Sequence, residues 1–321
     1  MARGIIKNSW TRFVKIAIIW LICAVTFYCF FQMALRNSSS HLSDNSHQST
    51  NSAGSSIANA EQRSILYAKM AKDLDENGAV FLKQGETSQS LSLSDLFTLK
   101  NETVEPVLRA ANPPVRANVL HLNTQYSVPI SEAVKNIFGP YFDKAIWFQN
   151  SSMYHFSLFH ASHHIHPVPA TETEIEAEAG AVKAVAEAIC PLDIVLDRVV
   201  LTSTGVLLGC WQVVSGPDPV TIRAKLKAAL PRAPQKQLYN EAILHTSFAR
   251  ILGPPKKLHE EEKKMSELQI FHDLVNRLNK HIVRLKATVS ELWYVEEYEV
   301  LALALNGKMK IRKFKFGCSK S

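Results

Sequence analysis

The chain has 321 residues and a formal charge of +7, and its hydrophobic and charged fractions, 46% and 20%, are ordinary for a folded protein, which excludes disorder throughout. Lys and Arg are scattered, with clusters only at the two ends, so a dedicated duplex-binding protein is not the first reading.

Residues 1–15 carry Arg3, Lys7, Arg12 and Lys15 and read as a short cytosolic N-terminus. The uncharged apolar run 16–35 is about as long as a helix needs to cross a hydrocarbon core. It exceeds a usual signal-peptide core and ends without a clean small-x-small cleavage site, so it is expected to be an uncleaved signal anchor. That makes a single-pass type II membrane protein, with its bulk on the lumenal (endomembrane or Golgi) or extracellular side. Sequons at Asn37, Asn101 and Asn150 fit a glycoprotein of this topology.

Residues 36–60, rich in Ser and Asn, bury too little to fold and read as a disordered stem. Residues 61–144 form an N-terminal extension: a helical pattern near "SILYAKMAKDL", a polar stretch, then "PVLRAANPPVRANVLHL", where prolines interrupt any long helix. From 145 to 321 the elements alternate clearly. An apolar strand through Tyr154 to Phe159 precedes a helix over "TETEIEAEAGAVKAVAEAI", which opens on Thr and Glu as a helix should. Two strands, "LDIVLDRVVLTST" and "GVLLGCWQVV", turn at Thr204-Gly205. A helix over "PVTIRAKLKAAL", a strand in "AILHTSFARI" and a long amphipathic helix from His259 to Leu285 follow. The strand-like runs "SELWYVEEYEVLALAL" and "KMKIRKFKF" close the chain, the latter patterned as an edge strand. The layout is α+β with a rough internal duplication. Cys190 and Cys210 flank the strand pair, and one bridge or two buried thiols are both open readings.

Each half of the duplication contains His-x-Ser followed by an apolar residue. Of the five His-x-Ser triplets in the chain, only His155-Phe156-Ser157-Leu158 and His245-Thr246-Ser247-Phe248 combine that apolar residue with a strand-like run. Alternation puts His155 with Ser157 on one face and Phe156 with Leu158 on the other, and likewise in the second motif. Two imidazoles across a groove suit phosphodiester cleavage without a metal or cofactor: neutral His takes a proton from the attacking hydroxyl while protonated His gives one to the departing oxygen. Serine hydroxyls can donate to the non-bridging phosphate oxygens.

On these residues, residues 145–315 resemble the two-histidine (2H) phosphoesterase superfamily, with its LigT-like proteins. Within it they look like the plant RNA ligase/cyclic nucleotide phosphodiesterase family, a likeness that extends upstream to about Ser64. The resemblance implies a bilobal, pseudo-duplicated fold with a central cleft, His155 and His245 as the acid/base pair, and Ser157 and Ser247 as phosphate-binding hydroxyls. The implied substrate is a nucleotide cyclic phosphate, a phosphodiester or an RNA end. The membrane, through residues 16–35, is the other expected partner, and no obligate protein partner is evident.

Two other classes stand beside this one. A catalytically silent 2H fold would bind a phosphorylated ligand. A type II glycosyltransferase would need a metal at Asp73-x-Asp75, a pair that also reads as a charged helix end. His160, His163, His164 and His166 lack carboxylates at ligand spacing and read as a solvated loop. Trp147, Tyr154, Phe156 and Trp211 lie near the motifs and read as packing rather than as base-stacking groups.

Overall fold

The structure, a computed structural model, describes residues 51–83, 89–100, 103–142 and 144–317. The expected N-terminus and anchor, the stem as far as residue 50, and the sequons at Asn37 and Asn101 lie outside the described residues. Among the described residues no helix is long and apolar enough to cross a membrane.

In chain order the elements are α1 (Asn51–Asn77), α2 (Leu93–Leu96), β1 (Phe97–Lys100), β2 (Thr103–Pro106), β3 (Ala110–His121), α3 (Thr124–Phe142), β4 (Ile146–Phe148), β5 (His155–Ser162) and α4 (Glu172–Glu187). There follow β6 (Leu192–Leu201), β7 (Val206–Ser215), α5 (Pro219–Ala229), β8 (His245–Ile251), α6 (Glu267–Ile282), β9 (Lys286–Val289), β10 (Glu291–Glu299), α7 (Ala302–Leu305) and β11 (Met309–Lys315). Two antiparallel sheets dominate, ordered β11-β10-β3-β5 and β4-β8-β7-β6-β9. The motif strand β5 is the edge of the first sheet, and the motif strand β8 lies one in from the edge of the second.

Local chemistry sets several boundaries. Thr171 and Glu174 form a reciprocal capping box that starts α4. Ser266 and Gln269 do the same for α6, which starts at Glu267 rather than at His259. Gly205 turns β6 into β7 at φ +82, where a Cβ would stand 2.5 Å from the Ile251 carbonyl oxygen. The run expected as one strand to Leu305 ends at Glu299 and finishes as α7.

The apolar faces of α3, α4, α5 and α6 enter one core with Phe156, Leu158 and Phe248 of the motif strands. About 1.5–3 kcal/mol per fully buried large side chain makes this the main stabilising term. It fixes the strands' register, since a slip of one residue would expose the core face.

Three expectations are corrected. Residues 51–60, read as stem, belong to α1, which packs Tyr67 and Met70 against Val200, Leu208 and Cys210. The proline-bearing stretch of the extension is β3, an inner strand between β10 and β5, so residue 145 does not separate two parts of this sheet. β3 accommodates Pro113 and Pro114 because its pairing with β10 skips from Ala110 to Val115, leaving both prolines outside the ladder. Cys210 is a buried free thiol under α1 while Cys190 is disulfide-bonded, so neither open reading holds: the two are not bridged to each other and are not both free.

At the seam between the sheets lies Arg223 of α5, 7% exposed. Its guanidinium donates to the carbonyl oxygens of Leu158 (2.9 Å) and Ser157 (3.0 Å) on β5 and of Ile243 (2.9 Å) and Glu241 just before β8. Burial pulls its pKa down to about 10, so it stays cationic at neutral pH. Removing it leaves four carbonyls without this donor, each worth about 1–3 kcal/mol when unsatisfied. Arg223→Met is expected to lower the unfolding free energy by at least about 3 kcal/mol in urea titration; a loss below about 1 kcal/mol would show that the seam does not depend on this cation.

Candidate active site

β5 and β8 carry the same irregularity. On β5, His155 pairs with His121 and Ser157 with Val119, after which the register shifts so that Phe159 opposes Asn118 and His160 opposes Ala117. On β8, His245 pairs with Cys210 and Ser247 with Leu208, and the shift then sets Ala249 opposite Leu207 and Arg250 opposite Val206. Each strand thus holds one extra residue after its serine, so two consecutive residues, Leu158-Phe159 and Phe248-Ala249, are buried. The bulge reverses the parity. His160 and Arg250 therefore rejoin the face carrying the His and Ser, and His155, Ser157, His160, His245, Ser247 and Arg250 line one cavity of about 420 Å³.

All four residues expected from sequence come together there, with His155, Ser157, His245 and Ser247 each half-buried. His155 Nδ1 lies 2.8 Å from the Met153 carbonyl oxygen, which can only accept, so Nδ1 carries the proton and Nε2 is left for the site. Burial lowers the His155 pKa, against the bond to Met153, and nearby His121 adds to the lowering. His245 is pulled down to about 4 by burial, then by Arg223 and His155, and its ring meets Tyr239 edge-on at 5.0 Å. Their surroundings hold both imidazoles neutral. A bound anion would favour their protonated forms.

Arg250 was hidden from sequence reasoning because strict alternation assigns it to the core face. Its Nη1 is buried with no hydrogen-bond partner among the described residues, and burial draws its pKa to about 10. A desolvated cation with a spare donor beside two hydroxyls and two imidazoles is suited to a phosphate oxygen. Tyr239, whose hydroxyl accepts from Gln89 Nε2 at 2.7 Å, is the aromatic ring lining the cavity. Tyr154, Phe156 and Trp211 are core, with Phe156 edge-on to Trp211 at 5.8 Å, and Trp147 Nε1 donates to the Ala304 carbonyl.

Of the histidine cluster, only His166 is exposed in a loop as expected. His160 lies within β5, and it and His163 are buried. Both line the cavity with His164, whose Nε2 contacts the Gln89 carbonyl at 3.1 Å. Burial, then His163 and His164, takes His160 down to about 3. Among the described residues no group of three or more His, Cys, Asp or Glu is arranged to hold a metal ion. Asp73 and Asp75 diverge on α1: Asp73 Oδ2 accepts from the Ser203 N–H at 2.6 Å, while Asp75 Oδ1 pairs with His272 at 2.6 Å.

No protein-family model matches this sequence, and no curated protein does. Among solved structures, a Thermus thermophilus protein is similar at 12% identity and a TM-score of 0.43, covering 63% of this chain and 98% of its own. E. coli LigT complexed with 3'-AMP is similar at 14% identity and a TM-score of 0.36, with the same two coverages. A conserved protein of unknown function from Agrobacterium tumefaciens gives 10% and 0.40, over 64% of this chain and 87% of its own.

Glu297 of β10 closes one side of the cavity, accepting the Leu303 N–H at 2.7 Å. Burial raises its pKa from 4.5 to about 7. A carboxyl that keeps its proton longer when folded contributes stability that is full below its unfolded pKa and is lost as pH rises through about 7. Glu297→Gln keeps the acceptor and removes the titration. The parent should therefore lose more stability than the variant between about pH 5 and about pH 8 in urea titrations; equal losses would place the ionising group elsewhere.

Proposed function

We propose that this chain is a metal-independent phosphoesterase of the two-histidine type, acting on cyclic phosphates or phosphodiesters of nucleotides. The observation that carries the reading is the meeting of two equivalent strands, each bringing His, Ser and a third basic residue to one cavity. In the hydrolytic direction, a neutral imidazole takes a proton from water as its oxygen bonds to phosphorus. The bond from phosphorus to the ribose oxygen breaks, and the second, protonated imidazole gives its proton to that oxygen. Ser157, Ser247 and Arg250 donate to the non-bridging oxygens, where negative charge grows. Nε2 of His155 serves equally as base when neutral and as acid when protonated, so its role follows the direction of reaction. With residues 16–35 as an N-in anchor, the same reading puts the site on the lumenal or extracellular side.

Activity should survive a chelator. His155→Ala and His245→Ala should each cost on the order of a hundredfold or more in rate, and Ser157→Ala and Ser247→Ala less. Arg250→Met should cost on the order of a hundredfold, as loss of a transition-state donor does. Because burial lowers both histidines below the usual 6.5 and catalysis needs one charged and one neutral, kcat/KM should peak below about pH 6.5. Bound phosphate favours imidazolium, so the kcat profile should lie at higher pH than that of kcat/KM. A kcat/KM still climbing above about pH 8, or folded histidine variants as active as the parent, would contradict the paired-imidazole mechanism.

A further inference from the structure

α1 does more than support the fold. It lies along β7 on the side of the five-stranded sheet that faces the cavity, fastened at successive levels. Arg63 is paired with Asp218 at 2.8 Å and donates to the Ala242 carbonyl at 3.3 Å. The Tyr67 hydroxyl reaches the carbonyls of Trp211 and Leu244, both at 2.8 Å, and accepts the Leu244 N–H at 3.0 Å. Asp73 holds the Ser203 N–H at 2.6 Å. A helix held this way is a wall and not a loose cover, and it is placed before β3, outside both motif-bearing halves.

Two residues of this wall, Met70 and Asp73, line the cavity itself. Met70 packs with Val206 and Leu208, which sit opposite Arg250 and Ser247 in the β7–β8 register. Thr202 and Thr204 of the β6–β7 turn line the same side. The α1 side therefore offers a thioether, two aliphatic chains, hydroxyls and one carboxylate. The carboxylate disfavours a phosphate there, while the basic groups of β5 and β8 draw it to the other side. A cavity of about 420 Å³ lies near the lower end of small-ligand sites, enough for one compact organic phosphate.

We propose that α1 forms the subsite for the organic group of the substrate, with Met70 packing against a flat ring of nucleoside size and Asp73 accepting from its N–H or O–H donors. This rests on the phosphoesterase reading for what occupies the opposite side. It places selectivity for the ester's organic group in a helix that contributes none of the acid/base or phosphate-contacting residues.

The test is calorimetric titration of the full chain with two probes, inorganic phosphate and cytidine 3'-monophosphate. Met70→Trp, which fills the subsite, should weaken the nucleotide at least about tenfold and leave inorganic phosphate within about twofold, since a bulky group in a packed ligand site costs well over 1 kcal/mol. Asp73→Asn should weaken the nucleotide alone. If Met70→Trp fails to fold, Met70→Ala serves, with a smaller loss confined to the nucleotide. Unchanged nucleotide binding in folded Met70→Trp, or in Met70→Ala where it serves, or equal weakening of both probes, would overturn the α1 subsite while leaving the phosphate site intact. Failure of the parent to bind either probe would overturn the phosphoesterase reading and the subsite with it.

Discussion

A single guanidinium at the junction of two sheets is what the site depends on. β5 ends one sheet and β8 belongs to another, so the backbone carbonyls facing each other across the seam have no ladder to join. Burying them without donors would cost more than any local contact there returns. Arg223 solves this with its planar fork, whose five donors can serve acceptors on β5 and on the segment leading into β8 at once, a geometry lysine cannot offer. Its bonds end on Ser157 and Leu158 on one side and on Ile243 and Glu241 on the other, so it ties the strand carrying His155 to the segment leading into His245. Its charge also reaches His245 and helps keep that imidazole neutral. Fold and chemistry share one residue.

What could be read from the sequence was what local rules govern. Capping at Thr171, the turn at Thr204-Gly205 and the alternation inside His-x-Ser all depend on neighbours a few positions apart, and the structure shows each of them. What could not be read depends on distant partners. β3 looks broken by its prolines unless one knows that β10 leaves that stretch unpaired. Arg250 and His160 fall on the wrong face unless one knows that both strands bulge. Arg223 looks like an ordinary helix-surface charge in "PVTIRAKLKAAL", because nothing local announces two carbonyls of β5 and two of the segment leading into β8. The one signal that was available and unused is the equal spacing of a third basic residue, five positions after each motif histidine.

The two bulges give the duplication its meaning. Without them, each strand would offer two polar residues and then turn its next basic group into the core. With them, each contributes a triplet, and the pair differs only in its third member, imidazole on β5 and guanidinium on β8. The burial of the cavity also lowers the pKa of its histidines, and a ligand's negative charge would favour their protonated forms. α1 closes the cavity from the β7 side, tying a segment read as stem and extension to the architecture of the site.

A single anion site shared by His155 and His245 is tested by side-chain ¹⁵N NMR titration of the histidines, with and without saturating inorganic phosphate, assigned by the His155→Ala and His245→Ala variants. In the free protein both imidazoles should titrate below the usual histidine range, with His155 protonated on Nδ1 when neutral, and phosphate should raise both pKa values together by about one unit or more. Phosphate moving neither histidine, or only one of them, would contradict a single anion site shared by the two strands.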